Sequence, residues 1–557
     1  MSTAELTPRP ARGIPRDQAQ ADNWWRGAAI YQVYPRSFAD GNGDGVGDLA
    51  GVRAHLPYLR DLGVEAIWFT PWYPSPMVDG GYDVADYRAI DPTFGDLAEA
   101  ERLIADALRC GLRTIIDVVP NHVSAEHAWF RAALAAGTGS PERDRFWFRD
   151  GRGPKGQEPP NRWLSQFGGR AWSRVVGADG VPEQWYLHLF APGQPDLNWE
   201  HHDVRREHEE VLRFWFDRGV SGIRIDSAAL LAKDATLPDI DAGADPGTHP
   251  YVDREELQEI YRDWRRIAES YGPDRALVGE IWLPDAERFA RYLRPDVLHT
   301  AFNFDFMTAP WDAAVLRSSI DKTLAVHGRV GAPATWVLSN HDVTRPVTRY
   351  GRTDTAFAFD TKRYGVPSDA ELGARRARAA ALLAMALPGS YYLYQGEELG
   401  LPEVEDIPPE RLLDPMHFRS GGADPGRDGC RVPLPWTGDA PPYGFSDPGV
   451  DTWLPQPAGW DHLTAESQSG DPDSMLSLYR RALQIRRDHP DLGDGTMAWL
   501  DERPGVLAFR RGAGFACVVN LSDAPLDLPP DAHVWLTSAP LEGGRLTPDA
   551  SVWLQST

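Results

Sequence analysis

The sequence predicts an α/β protein whose main domain is a closed barrel of eight parallel strands surrounded by helices, the (β/α)8 or TIM barrel. Eight short runs rich in β-branched and aromatic residues alternate with helix-like stretches over about 370 residues. Two long segments lack this periodicity, and short strands with turns begin near residue 496. The predicted barrel strands lie at residues 28–35, 65–71, 113–120, 221–227, 276–282, 299–306, 334–342 and 391–398.

Helical periodicity separates these strands. Between the first two strands, apolar residues recur at steps of three and four, and Gly63 follows as a C-terminal cap. Stretches ending at Gly111 and Gly219 precede the third and fourth strands, and a helix over 253–270 precedes the fifth. Strands joined by helices run parallel, so eight of them favour a barrel over an open sheet. The apolar positions of the first helix are Leu49, Val52, Leu56, Leu59 and Leu62.

The two aperiodic segments predict elaborated loops on one face of the barrel. Residues 123–195 lie between the third and fourth strands, and 400–470 follow the eighth. Active sites of such barrels are built from loops of this kind. We therefore predict a barrel over 1–122 and 196–495, an insertion domain over 123–195, and a C-terminal domain over 496–557. The C-terminal domain is expected to be a small β-sandwich, from short strand-like runs at 496–500, 506–511, 515–522, 533–538 and 551–554.

Composition excludes several functional classes. With 57 basic and 81 acidic residues, the chain has a net charge of −24, which repels phosphate backbones and anionic lipid. No nucleic-acid or membrane partner is therefore expected. Residues 1–23 lack the apolar segment of a signal peptide, and the longest apolar run, at 379–387, is too short to cross a bilayer. These features favour a cytoplasmic protein.

Four carboxylates lie at or just beyond the ends of four different predicted strands. In a barrel these ends converge on one mouth, and a buried carboxylate cluster raises at least one pKa. A raised pKa beside an ionised carboxylate is what an acid and nucleophile pair requires. Each carboxylate alone would fit a solvated helix cap, but the nearby Arg224, His122 and His341 favour a shared catalytic site. The four are Asp117, Asp226, Glu280 and Asp342.

Six ordered motifs resemble those of the α-amylase superfamily, glycoside hydrolase family 13. They are DVVPNH (117–122), QPDLNW (194–199), GIRIDS (222–227), GEIW (279–282), SNHD (339–342) and YQGEELG (394–400). The resemblance extends over essentially the whole chain and is greatest for the bacterial α-glucosidase and oligo-1,6-glucosidase branch, to which PYLRDLGVEAIW, FGGRAW, RPVTRYG and RDGCRVPLPW are also similar.

The resemblance implies the roles of three carboxylates. Asp226 matches the catalytic nucleophile, Glu280 the general acid/base, and Asp342 the carboxylate that holds the sugar hydroxyls and favours the oxocarbenium-like transition state. Arg224 precedes Asp226 by two residues and therefore points to the same side of the strand, where it is expected to keep Asp226 ionised. The histidines His122 and His341 are expected to hydrogen-bond the same sugar ring.

The resemblance also implies a pocket closed behind a single glucose. Asp79 matches the family's end-of-pocket aspartate, whose partner is an arginine after the eighth strand. Arg431 is our first choice for this partner, and Arg427 stays open as the alternative. Tyr82 matches a stacking tyrosine, and Phe167 resembles an aromatic wall from the insertion. Such closure implies an exo-acting enzyme.

The expected function is a retaining, exo-acting α-glucosidase that releases glucose from short α-1,4-linked oligosaccharides through a covalent β-glucosyl-aspartate. The alternative is a transglucosylase or a sucrose- or trehalose-type isomerase on the same fold. In related enzymes, Val after the nucleophile accompanies α-1,6 cleavage, whereas here the residue is Ser227. Serine lacks that bulk, so maltose and maltotriose are the expected substrates, with sucrose and aryl α-glucosides as further candidates.

An acidic loop after the first strand predicts a metal site. Side chains alternate with glycines in DGNGDGVGD (40–48), and their spacing matches the start of an EF-hand loop. Position 12 is Gly51 rather than Glu, so the bidentate ligand of an EF-hand is missing. A structural Ca²⁺, as many relatives carry, is the favoured ion, with Mg²⁺ as the alternative and a plain Gly-rich turn as the other interpretation. The predicted ligands are Asp40, Asn42, Asp44, the Val46 carbonyl and Asp48.

Overall fold

The structure is a computed structural model that describes residues 23–177, 179–241, 243–359, 362–529 and 532–555. The N-terminal segment expected to lack a signal peptide lies outside these residues except for Asn23. No helix in the described part of the chain is both long and apolar enough to cross a bilayer.

Eight of the strands form one parallel sheet in the order β10-β11-β1-β2-β3-β7-β8-β9. At the seam between its two ends, Thr335 Oγ1 donates a hydrogen bond to the Ala301 carbonyl (2.6 Å), which brings β10 against β9 and nearly closes the barrel. The strands are β1 Ala29–Val33, β2 Ala66–Phe69, β3 Arg113–Val118, β4 Phe148–Arg149, β5 Trp172–Val176, β6 Pro182–Leu187, β7 Gly222–Ile225, β8 Ala276–Gly279, β9 Thr300–Ala301, β10 Thr335–Val337, β11 Ser390–Tyr394, β12 Met497–Trp499, β13 Val506–Arg511, β14 Phe515–Asn520, β15 Leu526–Asp527, β16 Val534–Thr537, β17 Arg545–Leu546 and β18 Ala550–Gln555.

Helices connect the barrel strands. They are α1 Leu49–Ala54, α2 Leu56–Leu62, α3 Leu97–Arg109, α4 Ala128–Ala136, α5 His202–Asp217, α6 Glu256–Ser270, α7 Ala286–Arg291, α8 Phe304–Thr308, α9 Ala313–Val330, α10 Pro346–Tyr350, α11 Ala370–Ala386, α12 Pro415–Arg419, α13 Ala465–Ser469 and α14 Met475–Asp488. Short 3₁₀ turns lie at Trp24–Arg26, Pro35–Ser37, Pro141–Arg145, Pro246–Thr248, Pro409–Arg411, Asp428–Cys430 and Asp461–Leu463.

The eight predicted barrel strands are confirmed. The structure differs locally from the prediction at the end of one strand and within one helix. The sixth ends at Ala301, because the Asn303 side chain accepts the Phe306 N–H (3.2 Å) and thereby caps α8. The first predicted helix is two helices that meet at His55, since Pro57 cannot donate a backbone hydrogen bond. Gly63 caps α2 with a left-handed φ of +100°, as its position predicted.

Two smaller sheet units flank the barrel. Between β3 and β7, the strands β4, β6 and β5 form an antiparallel sheet. The C-terminal strands form a five-stranded antiparallel sheet and a separate pair, β15 with β17. This C-terminal unit is joined to α11 by hydrogen bonds from Ser551 Oγ to the Ala379 carbonyl (2.8 Å) and from Trp553 Nε1 to the Leu382 carbonyl (3.1 Å).

Candidate active site

One buried arginine joins three carboxylates at the C-terminal ends of β3, β7 and β8. Arg224 Nη1 lies 2.8 Å from Asp226 Oδ1 and 3.1 Å from Asp117 Oδ1, and Nη2 lies 2.8 Å from Glu280 Oε2. Asp117 and Arg224 are paired in register on adjacent strands, so their side chains leave the sheet on the same face. Three of the four predicted strand-end carboxylates are therefore neighbours.

The turn after β7 holds the two predicted reacting carboxylates. Ser227 Oγ donates to Asp226 Oδ2 (2.9 Å), and the Ser227 N–H donates to Glu280 Oε2 (3.0 Å). Ser227 has a φ of +47°, an uncommon conformation for a residue with a side chain. The second oxygen of Glu280, Oε1, accepts the indole N–H of Trp282 (2.9 Å). One turn and one indole therefore fix the orientation of both carboxylates.

This cluster has three carboxyl groups for one cation. Burial, and then the charge of Glu280, raises the pKa of Asp226 well above its usual value, although Arg224 opposes the shift. Burial raises the pKa of Asp117 to about 7 against the same arginine. One guanidinium is shared among three buried carboxyls, so its charge opposes these upward shifts without cancelling them, and the expectation that Arg224 keeps Asp226 ionised stays a prediction. Burial and the mutual repulsion of the carboxylates therefore favour the retention of a proton in this cluster, as an acid and nucleophile pair requires.

Asp342 has the opposite electrostatic environment. Its Oδ1 lies 3.0 Å from both Arg427 Nη1 and Arg431 Nη2, and its Oδ2 lies 3.3 Å from His341 Nε2. Burial alone would raise the pKa of Asp342, but His341 and the two arginines hold it well below the usual range. Asp342 therefore presents a fixed negative charge at the mouth of the barrel.

The end-of-pocket ion pair is Asp79 with Arg427, and our first choice of Arg431 is wrong. Arg427 Nη2 lies 2.7 Å from Asp79 Oδ1. Arg431 faces elsewhere, because its Nε donates to the His341 carbonyl (2.8 Å) and its Nη2 contacts Asp342. Arg427 is also bound by Asp414, which caps α12. The path of the loop after β11 therefore decides which arginine reaches Asp79.

Aromatic rings lie against these charged groups. The Tyr82 ring is parallel to the His341 imidazole at 5.2 Å, and its hydroxyl donates to Asp117 Oδ2 (2.8 Å). The Phe167 ring centre lies 5.2 Å from the Arg427 guanidinium carbon, so this insertion residue does reach the ion pair. Both aromatic residues are thus beside the site, and their contact with a sugar stays a prediction.

His122 is buried with both ring nitrogens in contact with protein groups. Its Nε2 lies 3.1 Å from the Tyr82 carbonyl, and its Nδ1 lies 3.1 Å from Asn121 Nδ2. Burial lowers the pKa of His122 to about 4, so the ring is neutral. The structure gives His122 a supporting position beside Tyr82, and its hydrogen bond to the sugar stays a prediction.

Comparison with known proteins agrees with this geometry. The family model for the catalytic domain of alpha amylase matches residues 32–495. The chain belongs to the alpha-amylase family. A model described as a domain of unknown function matches residues 493–553 of this alpha-amylase family chain.

Curated relatives and solved structures support the same membership. A probable alpha-glucosidase of Rhizobium meliloti is 37% identical over 532 residues, 90% of each chain. A trehalose-6-phosphate hydrolase of Escherichia coli is 36% identical over 534 residues, 90% of this chain and 91% of the relative. The crystal structure of an alpha-glucosyl transfer enzyme superposes with a TM-score of 0.82 at 36% identity, covering 96% of this chain and 99% of the other. This alpha-amylase family protein is therefore a glycoside hydrolase.

Several residues that contact this enzyme's site were missed in the sequence, among them Gln194, Trp282 and Asp414. Gln194 Nε2 donates to Asp79 Oδ2 (3.0 Å), Trp282 binds Glu280, and Asp414 binds Arg427. Gln194 and Trp282 stand inside the motifs QPDLNW and GEIW, where a donor close to predicted carboxylates was a usable signal. Asp414 lies in the aperiodic segment, where no pattern indicated it.

The acidic loop of the enzyme fits a hard cation in its donor chemistry, since every predicted ligand is an oxygen. Asp40 accepts the N–H groups of Asn42 (3.0 Å) and Gly45 (2.7 Å), and these bonds, with the Ser446 hydroxyl, keep the pKa of Asp40 low despite partial burial. Asp48 caps α1. Among the described residues, the carboxylates of Asp40, Asp44 and Asp48 are not gathered into a three-ligand cluster. The calcium site therefore stays a prediction.

Proposed function

We propose that this glycoside hydrolase is a retaining, exo-acting α-glucosidase that removes single glucose units from the non-reducing end of short α-1,4-linked oligosaccharides. The observation that carries the proposal is the pair Asp226 and Glu280, bridged by Arg224 and lying in the same barrel mouth as the buried Asp79–Arg427 ion pair. Asp226 and Glu280 supply the reacting groups, and the Asp79–Arg427 ion pair closes the end of the pocket.

The two carboxylates divide the reaction into two steps. Glu280 protonates the glycosidic oxygen while Asp226 attacks the anomeric carbon, so the bond to the leaving sugar breaks and a β-glucosyl ester forms. Glu280, now ionised, takes a proton from water, which attacks the same carbon and releases α-glucose. Asp342, held ionised by its arginines, stabilises the positive charge that develops on the sugar ring. Retention of the anomeric configuration by this mechanism requires the carboxyl groups of Asp226 and Glu280 to be about 5 Å apart.

Exo action follows from the Asp79–Arg427 ion pair that closes the end of the pocket. Asp79 and Arg427 are each less than a tenth exposed, and Gln194 and Asp414 hold them from either side. A glucose ring bound at Asp226 would meet this ion pair beyond its non-reducing end. A longer chain cannot pass through a buried ion pair, so each turnover releases one terminal unit.

The preference for α-1,4 bonds rests on Ser227. This residue contacts both Asp226 and Glu280, so it lies where the second sugar must enter. A serine leaves more room there than the valine that accompanies α-1,6 cleavage in related enzymes. Maltose and maltotriose are therefore the proposed substrates, with sucrose and aryl α-glucosides as further candidates.

A transglucosylase or isomerase is the second candidate, and the similarity to a solved alpha-glucosyl transfer enzyme favours it. Both activities share the glucosyl-aspartate step and differ in whether water or a sugar hydroxyl attacks the intermediate. New disaccharides formed from maltose or sucrose would indicate transfer or isomerisation, whereas glucose alone from maltose would indicate hydrolysis.

The test of the proposal is a substrate panel with product analysis. Maltose, maltotriose, isomaltose, sucrose, trehalose, trehalose 6-phosphate and an aryl α-glucoside are compared by kcat/KM, and proton NMR records the anomer released first. We expect α-glucose, with maltose hydrolysed faster than isomaltose. Release of β-glucose first would contradict the double displacement, and maltose as the first product from a longer chain would contradict the closed pocket.

Two further parts of the proposal are independent of the chemistry. A cytoplasmic location stays a prediction. A Ca²⁺ ion held by Asp40, Asn42, Asp44, the Val46 carbonyl and Asp48 would stabilise the loop after β1 and takes no part in the reaction.

A further inference from the structure

The predicted sugar-binding histidine, His341, is held between two partners, one on each ring nitrogen. Its Nε2 lies 3.3 Å from Asp342 Oδ2, and its Nδ1 lies 2.7 Å from Gln32 Nε2. The imidazole is 1% exposed and is stacked on Tyr82. Each nitrogen therefore has one nearby polar group, and the two contacts restrict where the proton of the ring can be.

Both contacts require the same tautomer. Burial lowers the pKa of His341 to about 3, so the ring is neutral and carries one N–H. Asp342 is ionised and can only accept, so the favourable contact at 3.3 Å requires the hydrogen on Nε2. Nδ1 is then a bare acceptor that needs a donor, and an amide NH₂ group at 2.7 Å is such a donor.

Gln32 has no other side-chain hydrogen bond among the residues that the structure describes. Its Oε1 is buried there without a partner, and the residue is 1% exposed near the C-terminal end of β1. A buried amide oxygen without a hydrogen bond is unfavourable, because it loses its contacts with water and gains none in the protein. A glutamine at this position is therefore costly for packing alone, and the side-chain hydrogen bond that it makes among the described residues is to the histidine at the catalytic mouth.

We propose that Gln32 is a positioning residue that fixes His341 as the Nε2–H tautomer, so that the imidazole donates toward Asp342 and the bound sugar. In the other tautomer, the bare Nε2 and the Asp342 carboxylate would face each other as two acceptors. Asp342 would then shift away from the position where it stabilises the sugar. The role for catalysis rests on the proposed function, whereas the tautomer itself does not.

The kinetic test is a double-mutant cycle. Gln32→Met keeps the length of the side chain and removes the donor, and His341→Phe keeps the stacking ring and removes both nitrogens. With an aryl α-glucoside, Gln32→Met is expected to lower kcat/KM about 10-fold in the wild-type background, the usual size of one lost buried hydrogen bond. In the His341→Phe background, the same change is expected to have less than a twofold effect.

A matched control separates this role from packing. Gln258 on α6 is also buried and also has an Oε1 without a partner among the described residues, but it lies on an outer helix. Gln258→Met should leave kcat and KM unchanged. An equal cost of Gln32→Met in both backgrounds, or no cost in the wild type, would overturn the proposal.

Neutron diffraction on a deuterated crystal of the ligand-free protein tests the tautomer directly. Deuterium is expected on Nε2 of His341 and absent from Nδ1. Deuterium on Nδ1, alone or together with Nε2, would overturn the proposal even if the variants are poorly folded. A protein that shows the Nε2 deuteron but hydrolyses no α-glucoside would instead refute the proposed function.

Discussion

Arg427 is expected to contribute more to stability than Arg431, although the two stand four residues apart in the same loop. Arg427 is paired with three carboxylates, those of Asp79, Asp342 and Asp414. In the described part of the chain, it is the cation that is paired with Asp79. Replacing Arg427 by methionine would therefore leave the buried Asp79 carboxylate without a counter-charge.

The magnitude follows from these contacts. Removing one partner of a buried ion pair costs about 3–5 kcal/mol, because an uncompensated charge stays in the interior. Arg427→Met should therefore lower the free energy of unfolding by about 3–5 kcal/mol. Arg431→Met should cost less, since Arg427 still lies 3.0 Å from Asp342 in that variant. The Arg431→Met variant loses mainly the hydrogen bond to the His341 carbonyl, worth about 1.5–3 kcal/mol for a charged donor.

The two variants are compared by urea unfolding and by kcat/KM for maltotriose. Arg427→Met is also expected to lose the closed end of the pocket, so its kcat/KM should fall further than that of Arg431→Met. Arg427→Lys is the control, because lysine keeps the positive charge but lacks the branched guanidinium that reaches three carboxylates. Its free energy of unfolding and its kcat/KM should lie between those of the wild type and of Arg427→Met. An Arg431→Met variant that is the less stable of the two methionine variants would refute the reasoning.

Three further predictions concern the reacting carboxylates, the acidic loop and the linkage preference. Asp226→Ala and Glu280→Gln should each lower kcat by at least about 10³-fold, because each removes half of the covalent mechanism. Both variants should keep the circular dichroism spectrum of the folded protein. Near-normal turnover of Asp226→Ala would exclude Asp226 as the nucleophile. Asp40→Ala, or removal of the metal by a chelator, should lower Tm more strongly than it lowers turnover, since an ion bound only to the folded state stabilises that state. Loss of turnover at an unchanged Tm would argue that the metal takes part in the reaction. Ser227→Val should shift the ratio of kcat/KM for maltose over isomaltose toward isomaltose by about 10- to 200-fold, the usual effect of a methyl group or two in a pocket. Ser227→Ala is the control, because it loses the same hydroxyl without adding bulk, and a wild type that already prefers isomaltose would contradict the steric argument.

Several features were predictable because their signal is local. Each barrel strand is a short β-branched or aromatic run, and each connecting helix repeats apolar residues at steps of three and four, so neighbours in sequence carry the information. The positions of Asp226 and Glu280 at strand ends were predictable for the same reason. Each directly follows a strand, and strand ends in a parallel barrel converge whatever the loops do.

The tertiary structure alone decided the pairings between distant residues. The sequence favoured Arg431 and left Arg427 as the alternative, whereas the choice depends on a loop anchored by Asp414 and on the contact of Arg431 with the His341 carbonyl. Gln32 lies 309 positions from His341, and no periodicity links them. The protonation of the carboxylate cluster around Arg224 depends on burial. Such energies are set by which groups share a low-dielectric interior, and a linear pattern of residues does not contain that information.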